Sequence, residues 1–397
     1  MTPAARIQAA IEILDAVIVA ARDGGPAADT LVATYFKTRR YAGSKDRRAV
    51  RDHVYDAIRR TAERPVDGRA AMVGLVADRP ELGVCFDGSV HGPAPITDGD
   101  PAAAAGIIPA WIKGLLVNVI TGPEESALLE RAPLHIRVNR LKADVETVAA
   151  ALPDAGRIDG VPDALRLPEG FAVELTASWE GGHFDVQDAG SQLIAAACAA
   201  QPGMTIIDLC AGAGGKTLAL AAAMQGQGRL IAADAIRTRL SRLPPRAEKA
   251  GAGFIETLLL DQGREAERLG PLAGTADVVL IDAPCSGTGT WRRNPEARWR
   301  LTPARLDRLV SEQARILDFA APLVAPGGRL VYAVCALTQR EGSDQVAAFI
   351  ARHPGWAVEP PVTPPGRAWG REGAQGVLLT PVHDGTDGFF FSRLQKT

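Results

Sequence analysis

The sequence lacks most features that would classify it at a glance. Its five cysteines, Cys85, Cys198, Cys210, Cys285 and Cys335, are odd in number and widely spaced, which argues against a disulfide framework. No Cys-x-x-Cys pair occurs and the six histidines are scattered, so no zinc or other metal site is expected. The formal net charge is only −2, so a nucleic-acid surface would have to be a local patch. Long apolar runs are missing too. The longest uncharged stretch, Ala189 to Ile207, contains Ser191, Gln192, Gln201, Pro202 and Gly203 and makes a poor membrane span, so no membrane partner is expected. Arg6, Glu12 and Asp15 interrupt any apolar leader, and the expectation is a cytoplasmic monomer. With 397 residues, 47% hydrophobic and 23% charged, the chain reads as a globular protein of two or three domains.

The most informative stretch is Met204 to Lys216. Met204–Ile207 is an apolar run that predicts a buried parallel strand. Asp208 and Cys210 follow, then Ala211-Gly212-Ala213-Gly214-Gly215-Lys216, then the helix-forming Thr217–Met224. Strand, glycine loop and helix together bring backbone N–H groups close to a ligand at a helix N-terminus. A P-loop requires glycine where Cys210 stands, and a dinucleotide fingerprint requires its third glycine where Thr217 stands. S-adenosylmethionine remains as the third nucleotide-type candidate, with an ordinary βα turn as the non-functional alternative.

Before this core, Ile7, Ala10, Ile11, Leu14, Val17 and Ile18 recur at helical spacing, and further helices are predicted over Asp29–Arg39 and Ser44–Arg60, with Ser44 as N-cap. The stretch from Lys37 to Arg60 is the most basic in the chain. It fits either a solvated helix face or a phosphate-contacting module, with Lys45, Arg47 and Arg48 as candidate contacts. These patterns set the expected organisation: a helical module over 1–86, a Gly/Pro/Asp-rich linker over 87–106, a small α+β region over 107–183 and a core domain over 184–397. In the α+β region Leu134–Leu141 alternates like a strand. Arg137 and Asn139 then share a face, either as a phosphate- or ribose-contacting pair or as part of a plain edge strand. A helix is expected from about Asp188.

From Met204 onward strands and helices alternate, which predicts a parallel α/β sheet. Gly376–Pro381 and Gly388–Leu394 read as a closing antiparallel hairpin, the mark of the methyltransferase version of such a sheet by fold-level analogy. Ligands of these sheets bind beyond the strand carboxyl ends. Those ends read Asp208-x-Cys210, Asp234, Asp261, Asp282-Ala283-Pro284-Cys285 and Val334-Cys335. Acids and thiols converging on one edge are poorly explained by packing. Asp234 follows the second strand, where a ribose-binding acid belongs, and Asp261 could meet the adenine. Two thiols suit methylation at carbon 5 of a pyrimidine. A thiolate adding to C6 makes C5 nucleophilic, a carboxylic acid such as Asp282 can bind the N3/N4 edge, and a second thiol can assist release. Inert buried cysteines are the bland alternative.

These motifs resemble the S-adenosylmethionine-dependent RNA cytosine-C5 methyltransferases. The chain carries DLCAGAGGKT, DAPCSGTG, VQDAGSQL, LHIRVNRLK and the late DGFFF, and its helical start resembles a short NusB-like RNA-binding module. The resemblance implies a Rossmann-like α/β core and S-adenosyl-L-methionine as cofactor. It implies small-subunit ribosomal RNA as partner. Within the site it implies Cys335 as nucleophile and Cys285 as the thiol that assists release. Cys210 to Lys216, Asp234, Asp261 and Asp282 would hold the cofactor and shape the base pocket. Residue patterns alone do not choose between Cys285 and Cys335. The chain departs from the family at Gly212-Ala213, at Val334 and Ala336 beside Cys335, and at Pro244-Pro245, which would interrupt a helix. An RNA-binding assembly factor on the same scaffold is the alternative function.

Overall fold

The computed structural model describes residues 1–261, 263–360 and 368–396. Thr2 Oγ1 accepts the Ala5 N–H and Pro3 occupies the first turn, so helix α1 (Pro3–Asp23) starts there; it stops at Gly24, whose φ is +79°. Its apolar stripe packs against α2 (Ala28–Lys37), α3 (Ser44–Arg60) and α4 (Gly68–Asp78). The α1–α4 approach is close because Gly68 has no side chain; a Cβ there would lie 2.2 Å from Ile11 O. The cap of α3 falls on Gly43 rather than Ser44 and makes no side-chain bond.

The chain forms two compact units, Met1–Arg131 with Thr290–Arg305, and Ala132–Gly289 with Leu306–Thr397. This differs from the expected boundaries at 106 and 183, and from an uninterrupted core domain over 184–397. In the first unit Trp299 is buried in the helical core and donates Nε1–H to Thr61 O at 2.9 Å. Arg298, also buried, donates to the carbonyls of Pro295 (3.0 Å), Ile107 (2.6 Å) and Ile58 (2.6 Å). The 87–106 stretch is tied down rather than free. Arg69 clamps Asp100 through Nε (2.9 Å) and Nη2 (2.8 Å), and Ala103 N donates to Ala70 O at 2.9 Å.

The second unit carries two sheets. The smaller is antiparallel in the order β2-β3-β1-β4, from β1 (Leu134–Val138), β2 (Gly156–Arg157), β3 (Ala164–Leu167) and β4 (Phe184–Val186). The larger begins with parallel β5 (Thr205–Asp208), β6 (Arg229–Asp234), β7 (Glu256–Leu259), β8 (Ala276–Asp282) and β9 (Val324–Val334). It continues with β10 (Trp356–Glu359), β11 (Arg371–Gly373), β12 (Gly376–Leu379) and β13 (Phe389–Lys396). Its order is β7-β6-β5-β8-β9-β13-β12-β11, with β10 on β13. The last strands pair antiparallel, β12 with β13 and β13 with β9, so the α/β class and the closing hairpin read from the sequence are both present. The hairpin link contains one helical turn, Pro381–Asp384. Chain order reverses direction between β5 and β8, which opens the crevice at their carboxyl ends. Pro244-Pro245 sits in the first turn of the helix Leu243–Ala250, where proline is tolerated, and a separate short helix Arg237–Leu240 precedes it. Among the described residues, no helix is long and apolar enough to cross a membrane.

Candidate active site

The glycine loop begins as β5 ends. Ala211 N donates to Ala233 O (3.0 Å), and Gly212 N donates to Asp234 Oδ2 (2.7 Å), so the loop is stitched to the end of β6. The other Asp234 oxygen accepts from Ile236 N at 2.6 Å. Gly212 has φ +56° and Gly214 φ +85°, backbone shapes that side chains resist. A Cβ on Gly214 would stand 2.2 Å from Leu243 Cδ1. Gly215 opens the helix Gly215–Ala223, and Ala213 O accepts from Arg246, which also pairs with Asp185. Cys210 borders this loop; burial first, then Asp208 and Asp234, push its thiol well above its ordinary value.

Asp208 is buried and accepts from Thr217 Oγ1 at 2.6 Å through Oδ2, while its Oδ1 is buried with no hydrogen-bond partner among the described residues. Burial raises its pKa to about 7; the Thr217 bond opposes this and the Asp282 charge adds to it. Lys216 Nζ reaches Asp282 Oδ2 at 2.7 Å. Burial pulls the ammonium down, but Asp282, Cys335 and Asp208 outweigh it, so its pKa is raised. Asp261 stands beyond β7, exposed.

Cys285 Sγ and Cys335 Sγ lie 3.2 Å apart. One follows β8 and the other follows β9, and the two strands are parallel neighbours. The Cys285 thiol is pushed well above its ordinary value by its hydrogen bond to Cys335, then by burial, then by the charges of Cys335 and Glu341. Lys216 is in electrostatic reach of Cys335. The two sulfurs therefore sit in unlike surroundings, an anion near one and a cation near the other.

Other candidates are placed differently from one another. Arg137 is only 4% exposed and donates Nε–H to Gln187 Oε1 at 2.7 Å. Asn139 is buried as well, its Nδ2 donating to Gly182 O (2.9 Å) and Ala250 O (2.8 Å). These two are internal braces and do not present an open face to phosphate, which corrects the reading of them as RNA contacts. Lys45, Arg47 and Arg48 are exposed on α3; Arg47 donates to Ala42 O at 2.9 Å and the other two extend from the same helix.

Two residues escaped the sequence reading. Arg239, five positions past Asp234, brings Nη2 to within 2.8 Å of where a Gly212 Cβ would sit. Its signal was a cation following a strand-end acid. Glu341, fully buried, binds the Cys285 loop. Its signal, Thr338-x-x-Glu341, reads as a local capping box.

A parallel sheet closed by an antiparallel hairpin, with a glycine loop at β5 and acids at successive strand ends, defines the S-adenosylmethionine-dependent methyltransferase fold class. The model of the family described as 16S rRNA methyltransferase RsmB/F matches residues 195–395, and the chain belongs to that family. A probable ribosomal RNA small subunit methyltransferase B from Synechocystis is 34% identical over 300 residues, 72% of this chain and 66% of that protein. The Citrobacter koseri ribosomal RNA small subunit methyltransferase B is 34% identical over 67% of this chain and 60% of its own length. The chain thus spans a little under two thirds of these relatives. The crystal structure of PH0851 shares the fold, with a TM-score of 0.79 at 24% identity over 100% of this chain and 99% of that one.

Proposed function

We propose that this chain transfers a methyl group from S-adenosyl-L-methionine to C5 of cytosine in RNA, with small-subunit ribosomal RNA as substrate. The observation that carries the reading is the 3.2 Å thiol pair beside the Lys216–Asp282 ion pair, at the strand ends next to the glycine loop. The cofactor supplies an electrophilic methyl on sulfonium. The residues fit it: the glycines from Gly212 to Gly215 let a ligand approach the Cys210–Lys216 backbone, Asp234 is fixed to the loop for the ribose, and Asp261 and Asp282 would bound the cofactor and base pockets. Asp208 Oδ1, buried and without a hydrogen-bond partner among the described residues, suits a donor from a cationic ligand.

In this reading Cys335 is the nucleophile. Lys216 lies in electrostatic reach of Cys335, whereas the Cys285 thiol is held well above its ordinary value by its hydrogen bond to Cys335 and its burial, with the charges of Cys335 and Glu341 adding to both. The Cys335 lone pair forms the S–C6 bond and shifts the C5=C6 electrons into the ring, toward the N3/N4 edge that Asp282 binds. C5 then takes the methyl group. Water takes the C5 proton, the C–H electrons re-form C5=C6, and the S–C6 bond breaks with its electron pair returning to Cys335, which restores the aromatic base, with Cys285 assisting release. The target base must leave its stack to reach this crevice. Lys45, Arg47 and Arg48 contribute phosphate contacts from α3.

The test is nucleoside mass spectrometry after incubating the protein with S-adenosylmethionine and unmodified small-subunit ribosomal RNA. Formation of 5-methylcytidine supports the proposal. Cofactor binding without 5-methylcytidine would move the assembly-factor reading ahead.

A further inference from the structure

Glu341, beside the Cys285 loop, is surrounded by hydrogen-bond donors. It is 0% exposed. A carboxylate removed from water requires a full set of donors. Oε1 accepts from Ser286 N (2.7 Å) and Gln313 Nε2 (3.1 Å). Oε2 accepts from Ser286 Oγ (2.6 Å) and Thr338 Oγ1 (2.7 Å). Its backbone carbonyl accepts from Tyr332 Oη at 2.8 Å.

These donors come from stretches far apart in sequence. Ser286 adjoins Cys285; Thr338 lies three residues past Cys335; Gln313 belongs to the helix Pro303–Ala320 and also donates to Pro284 O at 3.0 Å. Further ties cross between the two loops. Leu337 N donates to Thr288 Oγ1 (2.7 Å) and Gly289 N to Cys335 O (3.0 Å). One carboxylate thus holds the backbone beside one sulfur to the backbone beyond the other.

We propose that Glu341 is a positioning residue for the thiol pair: it sets the spacing of the two sulfurs and directs their shared proton to Cys285. The inference rests on the methyl-transfer reading above. Among the described residues the ionisable groups around the pair are Glu341 and Tyr332 toward Cys285, Lys216 toward Cys335 with Asp282 paired to Lys216, and Cys210 beyond Tyr332. The hydrogen bond to Cys335 and burial raise the Cys285 thiol, the Glu341 charge adds to them, and Lys216 faces the Cys335 side of the pair. No bond to carbon changes in this step; the proton moves between sulfurs, and the Cys335 lone pair becomes available for C6.

The test uses the full chain and two variants, Glu341→Gln and Glu341→Asp. Alkylation of each cysteine by iodoacetamide is followed by mass spectrometry from neutral to alkaline pH, alongside cofactor affinity and methyl-transfer turnover. Glu341→Gln removes the charge in a similar volume. Its Cys285 pH midpoint should fall, and its Cys285 alkylation rate at neutral pH should rise about tenfold, the equivalent of one pKa unit. Glu341→Asp keeps the charge and shortens the reach. Its Cys285 midpoint should stay high while turnover drops about tenfold or more and cofactor affinity holds within about twofold, because reacting groups tolerate little displacement. A merely structural role would speed alkylation of Cys285, Cys335 and the buried Cys198 alike without moving any midpoint, and that result overturns the proposal. If Glu341→Gln fails to fold, wild-type turnover in Glu341→Asp overturns it instead. A wild-type protein that binds no cofactor and methylates no RNA would defeat the functional reading separately, leaving the alkylation result to stand or fall by itself.

Discussion

Gly214→Ala is the sharpest perturbation of the glycine loop, because two separate costs can be worked out at one atom. Gly214 has φ +85°, and an L residue held there loses about 1–2 kcal/mol. The new Cβ would also stand 2.2 Å from Leu243 Cδ1 and 3.0 Å from Cγ. Leu243 is fully buried and cannot swing away, so overpacking adds about 1–3 kcal/mol. The sum is about 2–5 kcal/mol if the loop keeps its shape. If the loop shifts instead, the start of the helix Gly215–Ala223 moves with it and the proposed cofactor contacts are disturbed. Gly203→Ala is the matched control, since Gly203 has φ +88° but nothing within 4 Å of a Cβ. That variant should lose only the conformational part, about 1–2 kcal/mol, and bind cofactor normally. Urea unfolding and equilibrium binding of S-adenosylmethionine measure both quantities. Cofactor affinity in Gly214→Ala should fall at least about tenfold, a loss of about 1.4 kcal/mol. Equal stability and equal affinity in the two variants would refute the reasoning.

Three other outcomes follow from the same structure. Between the ordinary carboxylate value and about 7, folded Asp208 keeps a proton that the unfolded chain has released, so its contribution to stability falls as pH rises across that interval. Asp208→Asn should therefore gain thermal stability relative to wild type as pH increases toward 7, and a pH-independent difference would contradict this. Trp299→Ala should cost the helical unit about 3–5 kcal/mol, seen as faster hydrogen exchange in α1 and α3 with β5 and β8 unchanged; uniform loosening would count against the unit assignment. Charge reversal at Arg47 and Arg48 should weaken RNA binding and flatten its salt dependence without altering cofactor affinity, as measured by filter binding at several salt concentrations.

The parallel core was legible because β5, β6 and β8 are largely buried and so read as apolar runs, each ending in an acid, while β9 runs into Cys335. Its antiparallel closure was legible for a different reason: too few residues separate the last two long strands for a crossover helix. The small sheet misled. Leu134–Val138 alternates like a half-exposed strand, but neighbours cover both faces, so Arg137 is enclosed with Gln187 rather than facing solvent. The Thr290–Arg305 segment was opaque because Arg298 and Trp299 look like ordinary residues in a charged stretch. Their burial depends on carbonyls and core residues more than a hundred positions away, which no local pattern encodes. Glu341 was hidden by its own motif, since a capping box accounts for a glutamate locally and gives no hint that its oxygens serve Ser286 and Gln313.

In the proposed mechanism Cys335 attacks the base while Cys285 assists release. The direct measurement is covalent trapping with RNA containing 5-fluorocytosine in the presence of S-adenosylmethionine, followed by peptide mapping. The fluorine blocks loss of the C5 substituent, so the thioether at C6 persists. An adduct is expected on Cys335 in the wild type, none in Cys335→Ala, and a persistent adduct in Cys285→Ala. An adduct that survives Cys335→Ala and disappears in Cys285→Ala would contradict it.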